Sequence, residues 1–293
     1  MAITENQRVG ASAARTRKQG TARTQRKRSP LWVYAARLGV LAAFIAGWQY
    51  LPQVGWLSSR FRFLDPFFIS SPSKAVRVIY DFIIGSGGHP MIWPYLWDTV
   101  RGALEGMIIG SFLGFALGLL MSSIPRLYDV FGVYIHAINA IPRVALVPLV
   151  IAVAGTGNAA EVLTVVLIVF FIMFFNCLEG GRRVPPAVLD NARVLGASRL
   201  RTTMRIRIRY VSLWAFASVP NAMAFSILGV IFVEILGGTG GVGVLMLVAT
   251  NNIDTTTNIG LIVFLSVTGV VLVRLAEVVR RRSLRWVEDQ VST

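Results

Sequence analysis

Long apolar runs alternate with short polar segments along most of this chain. Six runs stand out, at residues 31–51, 95–121, 131–153, 160–178, 211–236 and 258–279. Most of them are about 20 residues long, the length of an α-helix that crosses the roughly 30 Å hydrocarbon core of a bilayer. The pattern therefore predicts an all-α membrane protein with about six transmembrane helices.

Glycine and proline mark two of these runs in different ways. The second run carries a glycine at every fourth position, namely Gly102, Gly106, Gly110, Gly114 and Gly118. Such a stripe lets another backbone approach closely, so we expect a tight helix-packing seam, within one subunit or across a dimer.

The third run contains Pro142 and Pro148. Each proline removes a backbone donor, so this helix is expected to be kinked or broken.

Composition and charge agree with this interpretation. The chain is 55% hydrophobic and 15% charged, whereas about a quarter of the residues in soluble domains are charged. With the amino terminus inside, 22 of the 29 Lys and Arg residues fall on the cytoplasmic side and four on the other. This bias predicts a multi-pass membrane protein with both termini in the cytoplasm. The net charge of +15 does not indicate nucleic acid, because no aromatic residues interleave with the clustered arginines.

The two ends of the chain are polar. Residues 1–30 hold eight Lys and Arg and one acid, so they are predicted to form a basic, disordered cytoplasmic tail. Residues 31–286 form the predicted transmembrane domain, and residues 287–293 the C-terminal tail. The basic leader and first apolar run also fit a signal peptide, but the run is long and lacks a clear cleavage site. We therefore expect the first helix to be retained.

A basic segment at residues 185–209 separates the fourth and fifth apolar runs. Pro185 and Pro186 suit the start of a helix, and Gly196 stands where a left-handed C-cap would end it. Ser198 can cap a second short helix, one face of which would carry Leu200, Met204 and Ile208. The segment is interpreted as two short helices with a glycine corner on a membrane surface. Composition alone favours the alternative, a basic connecting loop.

Polar residues inside apolar runs are costly, and they usually face a pathway or a partner helix. The candidates to line a translocation pathway are Asn139, Pro142, Arg143, Asn176, Asn221 and Glu234. Arg143 either attracts an anionic substrate, satisfies carbonyls freed by the prolines, or pairs with Glu234 or Glu105. The two asparagines at 176 and 221 are more typical of helix-packing hydrogen bonds. A carboxylate at the outer interface would cost little, which is the favoured interpretation of Glu234.

Catalytic and metal-binding patterns are missing from the sequence. It contains no Ser/His/Asp set with supporting context, no HExxH motif and no Walker A motif. The glycine-rich stretch at 237–243 lacks the Gly-Lys-Ser/Thr ending of a phosphate-binding loop. His89 and His136 are isolated, and a single cysteine, Cys177, excludes an intrachain disulfide. We expect no catalytic residue, no metal and no cofactor in this chain.

The 185–209 segment resembles the coupling-loop signature of ABC importer permeases. That family has Glu-Ala-Ala, three residues, Gly, nine residues and Ile-x-Leu-Pro. This chain has Asp190-Asn191-Ala192, three residues, Gly196, and then Ile206 and Ile208. Arg209 departs from the pattern, because it stands where the family usually has proline. The form DNARVLGAS is most similar to the nitrate/sulfonate/taurine branch of type I importers, and the resemblance covers about residues 65–286.

This resemblance implies a permease subunit for a small anionic organic or inorganic solute, in the inner or plasma membrane of a prokaryote. It implies a second permease copy, two cytoplasmic ATPase subunits that bind ATP and Mg²⁺, and an extracytoplasmic solute-binding protein. The residues implied in ATPase coupling are Leu189, Asp190, Asn191, Ala192, Leu195, Gly196, Ala197 and Ser198. The alternative is an autonomous secondary transporter or a membrane-embedded enzyme. Those classes usually show inverted repeats or a catalytic cluster, and neither is apparent in the sequence.

Overall fold

The computed structural model describes residues 30–61 and 65–283, and all regular structure in that part of the chain is helical. The all-α prediction is therefore confirmed. By its internal contacts the chain divides into two units, Met1–Trp48 and Gln49–Thr293. Apart from residue 30, the predicted tails at 1–30 and 287–293 lie outside the described residues.

Thirteen α-helices and three shorter helical turns make up the regular structure of the described residues. The first part contains α1 (Pro30–Tyr50), a 3₁₀ turn (Leu51–Gln53), α2 (Gly55–Arg60), α3 (Pro66–Ile69), α4 (Pro72–Ile84) and α5 (Ile92–Ser123). The middle part contains α6 (Pro125–Asn139), a 3₁₀ turn (Arg143–Leu146), α7 (Val147–Ala154), α8 (Asn158–Arg182) and α9 (Pro186–Val194). The last part contains α10 (Arg199–Thr202), a π-turn (Thr203–Arg207), α11 (Ile208–Gly237), α12 (Gly241–Asn251) and α13 (Thr255–Ser283).

Four helical stretches of the described residues are long and apolar enough to cross a membrane. They are α5, α8, the continuous stretch Arg199–Gly237 and α13. A fifth span results if α6 and Arg143–Ala154 are counted together, although they are bent by 78° relative to each other. The sequence predicted about six spans. The first predicted span forms a helix, the 21-residue α1. That helix is not among the candidate spans of the structure.

The glycine stripe of α5 lies directly against α8. All five glycines are buried, and a Cβ atom built on any of them would meet atoms of α8. At Gly118 it would lie 2.6 Å from the Cβ of Cys177. Only glycine permits this backbone approach, so the stripe forms a packing seam within one subunit. We call it the α5–α8 seam.

The main hydrophobic core surrounds this seam. It joins α5 and α8 to α11 through Ala103, Val165, Val169, Met173, Cys177, Val211, Ala215, Ala222 and Val230. A second cluster packs α4, α12 and α13 together with the start of α5, through Phe82, Ile92, Val242, Leu245, Leu261 and Leu265. Many large apolar side chains on the opposite helix faces stay exposed, Phe112 and Val270 among them. Such surfaces suit contact with lipid or with another membrane subunit.

Candidate functional site

The segment between α8 and α11 turns at a glycine corner, as the sequence predicts. Pro186 lies in the first turn of α9, and Gly196 follows its end with a φ of 73°. This left-handed conformation costs most residues about 1–2 kcal/mol, whereas glycine adopts it at little cost. The Ser198 side chain then accepts a hydrogen bond from the backbone N–H of Arg201 at 3.3 Å. The predicted corner and the predicted cap of α10 are both present.

Most of the eight residues implied in ATPase coupling lie on the outer surface of this segment. Leu189 and Ala197 are half-buried and Ala192 is buried, while the exposed members are Asp190, Asn191, Leu195, Gly196 and Ser198. Beside the corner, the side chains of Val194 and Leu195 are 86% and 85% exposed. Adjacent apolar side chains with this exposure indicate a surface that a partner covers. No contact among the described residues identifies that partner, so the coupling role stays a prediction.

The second half of the segment differs from the prediction of a separate short helix. α10 passes through the π-turn directly into α11, and the stretch Arg199–Gly237 is one helix of 39 residues. The predicted start of the fifth helix, near residue 211, is therefore wrong. Proline at position 209 would remove a backbone donor and clash with the preceding turn. Arg209 does neither, so the helix continues without a break.

The third predicted span is broken at the position where prolines were expected to interrupt it. α6 ends at Asn139, and the chain resumes as a 3₁₀ turn that begins at Arg143. Pro148 lies in the first turn of α7, where its missing N–H costs no hydrogen bond. The break therefore lies at Pro142, while Pro148 starts a helix rather than bending one.

Arg143 lies at this break and is half-buried. Its guanidinium donates to Oδ1 of Asn139 and lies 5.1 Å from the ring centroid of Phe171 on α8. Its Nε is buried and has no hydrogen-bond partner among the described residues. The predicted alternative of a pair with Glu234 or Glu105 is wrong, because other groups occupy both carboxylates. Arg143 thus carries a cation with no acidic partner in the described part of the chain.

The other asparagine candidates do not join Arg143. Asn176 is half-buried and donates to the carbonyl of Ile172 in its own helix at 2.7 Å. The side chain of Asn221 is exposed and makes no hydrogen bond among the described residues. The interhelical hydrogen bonds favoured for both asparagines are therefore not present. Asn139 and Arg143 are the only pathway candidates that the described hydrogen bonds bring together.

Glu234 is fully buried rather than exposed at an interface. Its carboxylate accepts hydrogen bonds from Oγ1 of Thr99 at 2.6 Å and from the backbone N–H of Gly243 at 2.7 Å. The Thr99 hydroxyl also accepts from the N–H of Val242 at 3.0 Å. These two N–H groups belong to the first turn of α12, where the helix leaves its donors unpaired and favours a negative charge. Glu234 and Thr99 therefore cap α12 from inside the protein.

The glycines around this carboxylate explain part of the glycine-rich stretch. A Cβ atom on Gly241 would overlap the Glu234 carboxylate, and one on Gly243 would lie 2.7 Å from the Glu234 Cβ. The stretch is thus a close backbone approach to a buried acid, and not a phosphate cradle. We call Glu234, Thr99, Gly241 and Gly243 the Glu234 cluster.

Beside this cluster lies a polar pocket of about 220 Å³ that the sequence did not predict. Its lining residues are Asp98, Arg101, Gly157, Asn158, Glu161 and Gly240. Arg101 pairs with Glu105, which also accepts from Asn158, and Glu161 is 3% exposed. The signal for Glu161 was an acid in the first turn of a very apolar helix, where the helix dipole favours it. Thr99 carried no such signal, because its partners are distant in sequence.

Comparison with known proteins gives one family and several distant relatives. The family model described as "Binding-protein-dependent transport system inner membrane component" matches residues 106–288. The putative aliphatic sulfonates transport permease protein SsuC of Escherichia coli (strain K12) is 26% identical over 246 residues, 83% of this chain and 88% of SsuC. The nitrate import permease protein NrtB of Leptolyngbya laminosa is 21% identical over 206 residues, 69% of this chain and 74% of NrtB.

A solved structure shares the fold. The MetNI methionine ABC transporter in an inward-facing conformation contains a chain similar to this one, with a TM-score of 0.50 and 16% sequence identity. The match covers 65% of this chain and 96% of that chain. At this identity the similarity concerns the fold alone, that of a helical membrane subunit.

Proposed function

This chain belongs to the family of binding-protein-dependent transport system inner membrane components and is an ABC importer permease, and on that premise we propose how it works. It forms the pathway for a small anionic solute that a solute-binding protein delivers from outside. A second copy of the chain completes the membrane domain, and two cytoplasmic subunits bind ATP and Mg²⁺. The permease itself hydrolyses nothing.

The observation that carries this proposal is the exposed corner of the 185–209 segment. α9 is a short helix in which Ala192 is buried, and its end carries two exposed apolar side chains, Val194 and the following Leu195. Asp190 is exposed on the same helix, where it pairs with Arg193 at 2.8 Å. A short helix with this surface suits docking into a groove of a partner.

We expect Gly196→Val to leave the permease in the membrane and to weaken its coupling to ATP hydrolysis. No atom lies within 4 Å of the position that an added Cβ would take, so we attribute the effect to the φ of 73°. That strain of about 1–2 kcal/mol disfavours the corner roughly 5- to 30-fold. Asp190→Arg should act similarly by reversing the charge on α9. The measurement is solute uptake and substrate-stimulated ATPase activity of the reconstituted complex.

Gly88→Val is the matched control for this experiment. Gly88 has a φ of 82° and equally open surroundings, but it lies between α4 and α5. Its replacement should cause similar strain without loss of coupling. Full coupling in both loop variants would show that the segment is only a basic connector. Failure of the wild-type chain to co-purify with an ATPase would instead favour an autonomous transporter.

Arg143 supports the proposal that the solute is an anion. A half-buried guanidinium without an acidic partner at a helix break attracts negative charge, since burying an uncompensated cation is costly. Sulfonate and nitrate, in the names of two relatives, are both anions.

We expect Arg143→Gln to reduce uptake of the anionic solute more than tenfold, from the loss of roughly 1.5–3 kcal/mol per charged hydrogen bond. Arg126→Gln, at an exposed site, is the control, and equal uptake by the two variants would contradict the assignment.

The proposed orientation places the amino terminus, the 185–209 segment and the carboxyl terminus in the cytoplasm. The distribution of Lys and Arg supports it. A reporter fused after Thr293, or inserted after Leu195, is expected to report the cytoplasm, and one inserted at exposed Gly88 the outside. The reverse result at any one of these sites would contradict the orientation.

A further inference from the structure

Arg207 connects the end of the π-turn to two other helices. Its side chain is half-buried. The Nη1 atom donates to the backbone carbonyl of Ser122 at the end of α5, and to that of Gly181 at the end of α8 at 3.1 Å. One guanidinium thus links its own helix to two others that are distant in sequence.

The two carbonyls are ones that an α-helix leaves unpaired. Ser122 and Gly181 each lie among the last four residues of their helices, whose C=O groups have no partner within the helix. A positive charge is favourable there, because the helix dipole places negative charge at the C-terminus. Both residues are buried, so a lost donor would not be replaced freely by water.

The C-terminal ends of α5 and α8 also contact each other, close to Arg207. A Cβ atom on Gly181 would overlap the side chain of Ser122, and it would lie 3.2 Å from Cγ2 of Val211 on α11. The inner end of the α5–α8 seam is therefore in contact with the first turn of α11. Arg207 lies at the point where the three helices meet.

Arg207 is the last residue of the π-turn, and the helix continues on both sides of it. The five residues of this turn, Thr203–Arg207, form a wider turn than the α-helices on either side. Because no proline follows, Arg207 is continuous with α11 in one direction and α10 in the other. The guanidinium is thus attached to a stiff helix and not to a mobile loop.

We propose that Arg207 is the positioning residue that ties the 185–209 segment to the inner ends of α5 and α8. A displacement applied at α9 then moves the α5–α8 pair as well as α11, rather than bending the chain at the π-turn. This inference rests on the proposed function, and it adds the route by which movement at the docking surface reaches the membrane helices.

Three single substitutions in the full complex test this role of Arg207, whose contacts with Ser122 and Gly181 we call the Arg207 tie. Arg207→Gln removes the charge and the fork of donors, while Arg207→Lys keeps the charge but not the planar fork. Arg205→Gln is the matched control, because Arg205 lies in the same π-turn, is exposed and makes no hydrogen bond among the described residues. The measured quantity is solute imported per ATP hydrolysed by the reconstituted complex.

We expect Arg207→Gln to hydrolyse ATP but to import roughly tenfold less solute per ATP, the effect of losing charge-assisted hydrogen bonds. Arg207→Lys should recover part of the ratio, and Arg205→Gln should match the wild type. An unchanged ratio in Arg207→Gln overturns the proposal, and so does an equal fall in Arg205→Gln. If Arg207→Gln does not assemble, Arg207→Lys decides, since a lowered ratio supports the tie and a normal ratio overturns it.

A distance measurement tests the same tie without transport. The buried Cys177 is shielded from reagents, so spin labels can be placed at Ile124→Cys, just after α5, and at Arg199→Cys on α10. A narrow distance distribution that broadens in Arg207→Gln, but not in Arg205→Gln, supports the tie, and equal widths overturn it. A wild-type complex that imports nothing would contradict the proposed function, while this measurement would still decide the role of Arg207.

Discussion

Replacement of Gly114 by leucine is expected to destabilise the protein by about 3 kcal/mol or more, at the upper end of the range for overpacked interiors. A Cβ atom at this position would lie 2.6 Å from the carbonyl oxygen of Phe170, 2.7 Å from the Cβ of Met173 and 2.9 Å from the backbone nitrogen of Phe174. These atoms belong to the body of α8 and cannot move aside by rotating a side chain. The two helices must therefore separate. Thermal unfolding in detergent and the yield from membranes measure the effect.

Gly39→Leu provides the control for this prediction. Gly39 is also a helical glycine, in α1, and no atom lies within 4 Å of the position that its Cβ would take. The same substitution should therefore change the unfolding temperature little there. If Gly114→Leu were as stable as Gly39→Leu, the two helices would be able to part without cost, and the α5–α8 seam would not hold the core together.

Glu234→Ala is expected to have an effect of similar size for a different reason. The substitution leaves the N–H of Gly243 without its acceptor, and the hydroxyl of Thr99 keeps only the carbonyl of Tyr95, at 3.1 Å. A buried polar group left unpaired costs about 1–3 kcal/mol, and the cavity that the fully buried side chain leaves adds to this cost, so we expect a loss of roughly 2–5 kcal/mol. α12 should lose its cap first, and hydrogen exchange at Val242 and Gly243 should speed up before the protein unfolds globally.

Glu105→Ala is the matched control for Glu234. Glu105 also accepts two hydrogen bonds, from Arg101 and Asn158, but its side chain is 39% exposed. Exposed ion pairs contribute about 0–1 kcal/mol, so this variant should be near the wild type. Glu234→Gln keeps one acceptor oxygen and should fall between the two. Equal stability of Glu234→Ala and Glu105→Ala would mean that water reaches the Glu234 site.

The positions of most spans could be predicted because their signal is local and repeated, although the start of the fifth helix was not. Each apolar run reports its own length, and the bend of 78° follows from a proline whose effect is confined to one turn. The corner at Gly196 was predictable for the same reason, since helix ends are encoded by neighbouring residues. The glycine stripe of α5 showed that a partner backbone was close, but not that the partner was α8.

The Glu234 cluster and the Arg207 tie could not be predicted in this way. Thr99 and Glu234 are 135 positions apart, so no periodicity connects them. A carboxylate near a helix end costs little free energy if it is exposed, so the sequence did not indicate that Glu234 is buried. Arg207 is one of eight arginines between residues 182 and 209, and nothing in the sequence distinguishes it from Arg205. What distinguishes Arg207 is its contact with the ends of α5 and α8, and these helices are distant from it in sequence.

The α5–α8 seam also has a consequence for synthesis of the protein. α5 is complete before any of α8 has been made, because α6 and α7 lie between them in the chain. Until α8 is inserted, the five glycines present bare backbone to the lipid, with no side chain to cover it. A nascent chain that stops before residue 158 retains this uncovered face, which distinguishes it from a finished one. The seam therefore marks a finished subunit, because the backbone of α5 is covered only after α8 has been inserted.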